Sequence, residues 1–407
     1  MRRSIQKIIL FFTMAVGLAA CTAHPSIIEH IPPQKFSEET LLSGTVILDR
    51  PVLEKDLPDI DILAINQDLR LLLESVTGAT KTARLDALLK RLQDRNFSLL
   101  YDADATLSAS KVFVEQRGNC MAFSTLMVAM ARELGINAQF NEVLVPTSWH
   151  LENQQTFVYQ HINVIADLGI EQRTLDFNFV NYSPIYRQIT LKDSDAFARF
   201  YSNLSMDFLS DQKYSDAFLY IRKALALSPQ SADLWNNLGA IYRAAGHLDH
   251  AASAYRASLV IDSTNTMALS NLERILTKQG DWQSTNIISE HLQRYREQNP
   301  YYWYGNALAA YKQGHYELAT DDIKAAISLE KNDPRFHFLL GLLRFKSGNY
   351  GYRGHFQQAL TLSAADGDQG RYRQKLEILG LDDIRPSSRH KATDFWYRRN
   401  LWWWLNR

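Results

Sequence analysis

Cysteine is scarce: the 407 residues hold only Cys21 and Cys120, which argues against a disulfide-rich scaffold. Charge of one sign is missing too, with 44 Lys+Arg against 44 Asp+Glu. A chain that binds nucleic acid through counterion release needs a basic face, so no nucleic-acid partner is expected. No His-Glu-x-x-His, Cys-x-x-Cys, Walker loop or dinucleotide fingerprint occurs, so no metal or nucleotide cofactor is expected. What is present, 46% hydrophobic and 22% charged residues over this length, describes a globular protein of two or three domains.

The chain opens with Arg2, Arg3 and Lys7, then the apolar run from Ile8 to Leu18 and Leu18-Ala19-Ala20-Cys21. A basic start, a run too short to span a bilayer and small residues before a cut site form a secretory signal. The ending resembles the bacterial lipobox, whose cysteine is acylated and becomes the new N-terminus. That resemblance implies a membrane anchor at Cys21, since two or more acyl chains hold a protein stably without a spanning helix. Thr22 in place of an acidic residue implies the periplasmic leaflet of an outer membrane if the host is Gram-negative. Losing Arg2, Arg3 and Lys7 takes the count to 41 against 44 and the net charge to about −3. An ordinary signal peptide with a chance cysteine is the competing reading.

With Cys21 acylated, Cys120 has no intramolecular disulfide partner, so it is buried, intermolecular or reactive. Asn119 before it is a favoured N-cap, Phe123, Met127, Met130 and Leu134 recur at helical spacing, and Gly135 suits a left-handed stop. Cys120 thus opens a helix of roughly four turns. The amide groups and positive dipole end there favour negative charge on sulfur, and the first N–H groups are placed to meet an oxyanion.

Strand patterns follow over residues 139–145, 156–165 and 173–180, the last two joined across 166–171. A hairpin centred on Leu168 and Gly169 pairs His161 with Asp176, Asn163 with Thr174 and Tyr159 with Asn178 on a mostly polar lane. Ile162 then meets Leu175 and Val158 meets Phe179 on an apolar one. Directly opposed Cβ atoms lie about 4.5 to 5.5 Å apart, so Asp176 can orient the His161 ring. Cysteine at a helix start, histidine on a strand and aspartate on its neighbour form a thiol, base and orienter set.

Gly118-Asn119-Cys120, the helix end Glu133-Leu134-Gly135-Ile136-Asn137, and His161 and Asp176 in that order resemble the core of the transglutaminase-like superfamily, a papain-like group. The resemblance covers roughly residues 65 to 190 and implies a Cys120, His161, Asp176 triad. The family often has Trp soon after the histidine and Asp-Pro-Thr at the aspartate, where this chain has Ile162-Asn163-Val164 and Asp176-Phe177-Asn178. Taken singly, a buried cysteine is usually core and a strand histidine is usually a satisfied sheet residue. His150 is the rival base, without a register-matched acid. Asp167 is the rival acid, but it sits beside the turn facing Ile170 and suits loop solvation.

From about residue 198 a 34-residue period takes over. Trp235, Leu238, Gly239, Tyr242, Ala251 and Tyr255 resemble the tetratricopeptide pattern. Stepping back gives Tyr201, Leu204, Phe208, Ala217 and Ile221. Stepping forward gives Leu269, Leu272, Leu276 and Gly280, then Trp303, Ala307, Gly314, Ala319 and Ile323, then Leu340, Gly341 and Gly348. A non-repetitive helical bundle is the alternative. Stacked repeats bury each other's apolar faces and leave a concave surface that takes a protein or peptide partner. The tail from Asp394 to Arg407 holds four of the eight tryptophans. It suits either lipid headgroups or, preferably, a last helix packed over the end of the solenoid.

The expected architecture is an α+β transglutaminase-like domain followed by an all-α tetratricopeptide-repeat solenoid. Its divisions are a signal peptide at 1–20, a proline-bearing tether with Pro25, Pro32, Pro33, Pro51 and Pro58 at 21–62, the domain at 63–195, about five repeats at 198–364, and a cap or aromatic tail at 365–407. The expected chemistry is acyl transfer through a Cys120 thioester, in an envelope protein anchored to the membrane through Cys21. The competing class is a non-catalytic envelope scaffold.

Overall fold

A computed structural model describes residues 27–95, 97–144, 160–176, 188–363 and 369–386. Cys21, His150 and the aromatic tail lie outside them, as do Val158, Tyr159, Asn178 and Phe179.

Two short helices come first, α1 (Glu38–Leu42) and α2 (Thr45–Leu48). Then α3 (Gln67–Glu74) and α4 (Lys81–Asp94) follow, with Leu85, Leu88 and Leu92 of α4 buried at helical spacing. Asn66 and Thr80 cap them, their side chains accepting the Leu69 and Ala83 N–H groups. A parallel pair, β1 (Leu100–Tyr101) and β2 (Arg117–Gly118), brackets α5 (Ala109–Glu115) and leads into α6 (Cys120–Glu133). The main sheet holds β3 (Asn137–Leu144), β4 (Gln160–Asp167), β5 (Gln172–Leu175) and β6 (Gln188–Thr190) in the order β5-β4-β3-β6, antiparallel throughout. Ala138 and Phe140 of β3, Ile162, Val164 and Ala166 of β4 and Leu175 of β5 share one buried, largely apolar face, with Glu142 and Arg173 at its borders.

The β4–β5 hairpin is shifted from the expected register. Its last pair is Asp167 with Gln172, so Val164 faces Leu175 and Ile165 faces Thr174. The cause is the turn. Asp167 Oδ1 accepts the Gly169 N–H at 2.9 Å, Gly169 sits at φ +96°, and Leu168 N–H donates to the Glu171 carbonyl at 3.0 Å. An Asx turn followed by a left-handed glycine makes a longer connection than a turn centred one residue earlier. Partners therefore move by two residues. A two-residue slip keeps every side chain on its face, so His161 and Asp176 remain on one side as diagonal neighbours. Asp167 faces Gln172, not Ile170, and serves the turn.

Five helix pairs follow: α7 (Asp193–Ser210) with α8 (Tyr214–Leu227), α9 (Ala232–Ala244) with α10 (Leu248–Ile261), and α11 (Thr266–Gln279) with α12 (Trp282–Glu297). The last two are α13 (Pro300–Lys312) with α14 (Tyr316–Leu329), and α15 (Pro334–Lys346) with α16 (Tyr352–Ser363). The first begins at Asp193, a few residues before the expected onset. Gly246, Gly280, Gly314 and Gly348, all at positive φ, stand 34 residues apart between the two helices of successive pairs. At Gly239 an added Cβ would lie 2.5 Å from the Tyr255 ring, and at Gly341 2.7 Å from that of Phe356, so these glycines let each pair close. A further helix, α17 (Gln369–Ile378), brings Tyr372 and Leu376 onto Phe338, Phe356 and Leu360, joined by Leu381 and Ile384. This cluster covers the last repeat.

From Ile27 onward the segment expected to be a tether is docked along the second helices of the first three pairs. Ile27, Ile31 and Leu41 are buried. Arg256 donates to the Ile28 and Ile31 carbonyls at 3.2 Å, and Arg222, 34 residues earlier, to that of Leu42 at 3.3 Å. Phe36 stacks on His250 with centroids 3.9 Å apart, and the Tyr242 hydroxyl donates to the Leu41 carbonyl at 2.6 Å. One apolar cluster runs from this strap through the α+β domain to Leu292 of the third pair.

In the first repeat the left-handed position falls on Gln212, at φ +61°. A side chain there carries a steric cost of about 1 kcal/mol. Gln212→Gly is expected to raise stability by up to about 1 kcal/mol in chemical denaturation, whereas Gly246→Gln should lower it.

Candidate active site

Three residues set the start of α6. Gly118 is required by space, because a Cβ there would lie 2.7 Å from the Ala122 Cβ. Asn119 caps the helix with its Oδ1 accepting the Ala122 N–H at 3.0 Å, while its Nδ2 donates to Thr106 Oγ1 at 2.7 Å and the Ala103 carbonyl at 3.2 Å. Its own N–H donates to the Ala105 carbonyl at 3.1 Å. The loop before α5 thus clamps the helix start and fixes Cys120, a free and partly exposed thiol, at the first helical position. Of the first-turn donors, the Cys120 and Met121 N–H groups have no acceptor within the helix. At the far end Gly135, at φ +69°, donates to the Arg132 carbonyl and Ile136 N–H to that of Ala131, both at 2.9 Å. That is a Schellman stop. Between these ends the helix is buried nearly all round, more than the one-sided spacing implies.

The three residues expected to act together do meet. His161 Nε2 lies 2.8 Å from both carboxylate oxygens of Asp176, whose side chain is fully buried. An ionised carboxylate only accepts, so Nε2 carries the proton. The ring is also hydrogen-bonded to Cys120, and Nδ1 is the nitrogen left for that contact. Burial pulls the imidazole pKa down. The hydrogen bonds to Asp176 and Cys120 and the charges of both outweigh it, lifting the value from 6.5 to about 10.

Behind the triad runs a chain of amides that the sequence reading missed. Asn163 Nδ2 donates to Asp176 Oδ2 at 3.0 Å, and Asn141 Nδ2 donates to Asn163 Oδ1 at 2.7 Å and to Gln188 Oε1 at 2.9 Å. Both asparagines are buried. The available signal was an Asn two residues from His161 on an otherwise apolar strand, but its partner on β3 is a cross-strand neighbour that one sequence does not pair. Among the described residues, no group of three or more His, Cys, Asp or Glu side chains is placed to hold a metal ion.

Residues 73–170 match the transglutaminase-like superfamily, and residues 203–266 and 304–351 match the tetratricopeptide repeat. The chain carries a transglutaminase-like domain followed by tetratricopeptide repeats. Cys120 and His161 fall inside the first match and Asp176 just beyond it. Heat shock protein STI1 of Saccharomyces cerevisiae is 33% identical over 75 residues, 18% of this chain, and the sti1 homolog of Schizosaccharomyces pombe 36% over 75 residues, also 18%. The chain spans only 13% of the length of either relative. Among solved structures, Pseudomonas aeruginosa pilF is 21% identical, covering 46% of this chain and 94% of its own with a TM-score of 0.25. MamA from Desulfovibrio magneticus RS-1 is 17% identical, covering 42% and 97% with a TM-score of 0.24. At such identities and scores these likenesses say nothing of function.

Because the His161 pKa is raised on folding, the ring's contribution to stability is fully present below the ordinary value of 6.5 and lost as pH climbs toward about 10. The melting temperature of the native chain is therefore expected to fall toward that of His161→Asn between pH 7 and 10. A gap between the two that stays constant over this range would contradict the assignment.

Proposed function

We propose that the transglutaminase-like domain is a cysteine acyl-transfer enzyme, and that the repeats bring it to a protein or peptide partner. The observation that carries the reading is the hydrogen-bonded series Cys120, His161, Asp176, with the thiol partly exposed at a helix N-terminus. A protonated imidazole beside sulfur favours the thiolate, which attacks an amide carbonyl carbon. The resulting oxyanion meets the N–H groups at the start of α6, led by that of Cys120. His161 then gives its proton to the departing amine as the C–N bond breaks, leaving a Cys120 thioester. Water attacking that thioester, with His161 as base, releases a carboxylic acid and makes the protein a peptidase or amidase. An amine attacking instead releases a new amide. Hydrolysis is the default where water is abundant. Asp176 holds the ring in the tautomer this sequence needs.

Tetratricopeptide repeats generally bind proteins, and the strap leaves them a defined surface for it. It covers the second helices of the first three pairs, so a partner meets the other face or the last two pairs.

We also propose that Cys21 is acylated and holds the chain on a membrane of the cell envelope, the outer membrane facing the periplasm if the host is Gram-negative. A fully extended chain from Cys21 to Ile27 reaches at most about 20 Å. Such an anchor would hold the third pair, where the strap begins, close to the lipid surface.

Iodoacetamide labelling separates the enzyme from a scaffold with an inert domain. Cys120 in purified protein is expected to alkylate faster at pH 6 than a free cysteine, and His161→Ala to abolish the advantage; equal rates in both would leave the scaffold. For the anchor, the expressed chain should partition into detergent and Cys21→Ser into the aqueous phase, so retention of Cys21→Ser with detergent would overturn acylation.

A further inference from the structure

Asp176 is a carboxylate with no exposed side-chain surface, and a single hydrogen-bonded histidine does not fix its orientation. Rotation about its terminal bond would bring either oxygen to His161 Nε2, and both already lie 2.8 Å away. Asn163 distinguishes the two oxygens, its Nδ2 donating to Oδ2 at 3.0 Å.

An ionised carboxylate accepts and never donates, so Asn163 must turn its nitrogen toward Asp176. Its oxygen is then committed to the other side, where Asn141 Nδ2 donates at 2.7 Å. Asn141 in turn shares that nitrogen with Gln188 Oε1 at 2.9 Å. Asn141 and Asn163 thus each send one donor toward Asp176, while Asn141 sends its second outward to Gln188 on β6. Asn141 Oδ1 is left buried with no hydrogen-bond partner among the described residues. Leaving a buried acceptor unpaired is unfavourable, and apolar side chains on this lane would avoid it. Local packing alone gives no reason to keep such an arrangement.

We infer that Asn163, oriented by Asn141, is a positioning residue that holds Asp176 in the rotamer that fixes the His161 ring against Cys120. The inference rests on the acyl-transfer reading of the triad. Neither asparagine touches the reacting atoms, and each acts through Asp176. Among the described residues, Cys120 from α6 and Asp176 beyond β5 are charged or titratable groups that meet the ring, while the carboxylate on β3, Glu142, is spent on Arg199 with bonds of 2.9 and 2.7 Å. Asn163 also does what the Trp often found after the family's histidine cannot, since indole carries one donor and no acceptor.

The test is the pH profile of Cys120 alkylation by iodoacetamide in the full chain, with thermal melts as the check on folding. Asn163→Leu keeps the branched shape at a larger volume and removes the donor. Alkylation is expected to slow about tenfold at pH 6, the worth of one charged hydrogen bond, and to stay within about twofold at pH 9, where even an unassisted thiol is largely ionised. Asn163→Asp is nearly isosteric and carries the test should the Leu variant not fold. It replaces the donor by a carboxylate facing Asp176, and two such groups share a proton, so the same loss confined to low pH is expected. A profile that keeps its native shape in the folded variants would overturn the inference, as would a uniform slowing at both pH values. Failure of the triad reading looks different: the native chain itself would show no advantage over free cysteine, and His161→Ala would change nothing.

Discussion

The helix α7 belongs to two cores at once, and the rest of the molecule is arranged around that fact. On one side Phe197 meets Phe140 of the sheet edge to face at 6.2 Å, Asp193 takes two bonds from Arg132, and Arg199 takes both oxygens of buried Glu142. On the other side Ser205 donates to the Ala217 carbonyl and Phe208 packs against Tyr220, closing the first repeat. A helix shared in this way leaves no linker between the domain and the solenoid. Strand β3 carries the consequence into the site. Successive residues of a strand point to opposite faces, so Glu142 faces the solenoid while Asn141 faces the lane that leads to Asp176. The same few residues of backbone fix the repeats and the triad.

The strap extends this linkage along the solenoid by a device that depends little on its own sequence. Arg222 and Arg256 occupy equivalent places in the first two repeats and grip backbone carbonyls, with apolar anchors between them. In the third and fourth repeats the equivalent residues are Glu290 and Lys324, and a glutamate cannot donate to a carbonyl. The arginine grip is therefore a property of the first two pairs, and the chain that separates the repeats from their proposed anchor is itself part of their packing.

Local signals in the sequence translate directly into structure here. Gly118, Asn119 and Gly135 mark the ends of α6 because each meets a geometric demand of its own position. The 34-residue period carries the solenoid because every repeat poses the same packing problem, down to a left-handed residue between its helices. Non-local features are harder to read. The hairpin register was set by one Asx turn at Asp167 and Gly169, which shifts partners without changing any face, so the alternation of polar and apolar residues could not reveal it. The strap has no sustained period, since its very short helices and the stretches between them dock through scattered anchors such as Ile27, Ile31 and Leu41. Prolines in such a segment indicate extension, not whether it is packed.

The polar lane across β3 and β4 shows the same limit and also its reason. Opposed asparagines at 141 and 163 would ordinarily mark a solvated face, yet both are buried and one keeps an oxygen unpaired among the described residues. Polar networks in a low-dielectric interior are strong when complete and unfavourable when they are not. A strand pair built only for stability would place β-branched side chains at both positions. Among the described residues this network leaves one acceptor unpaired in its middle, on Asn141, while at the end that meets the triad Asp176 accepts from His161 and Asn163 together. Imperfect satisfaction thus falls on Asn141, one residue back from the carboxylate, and Asp176 keeps the amide donor that Asn163 directs to it.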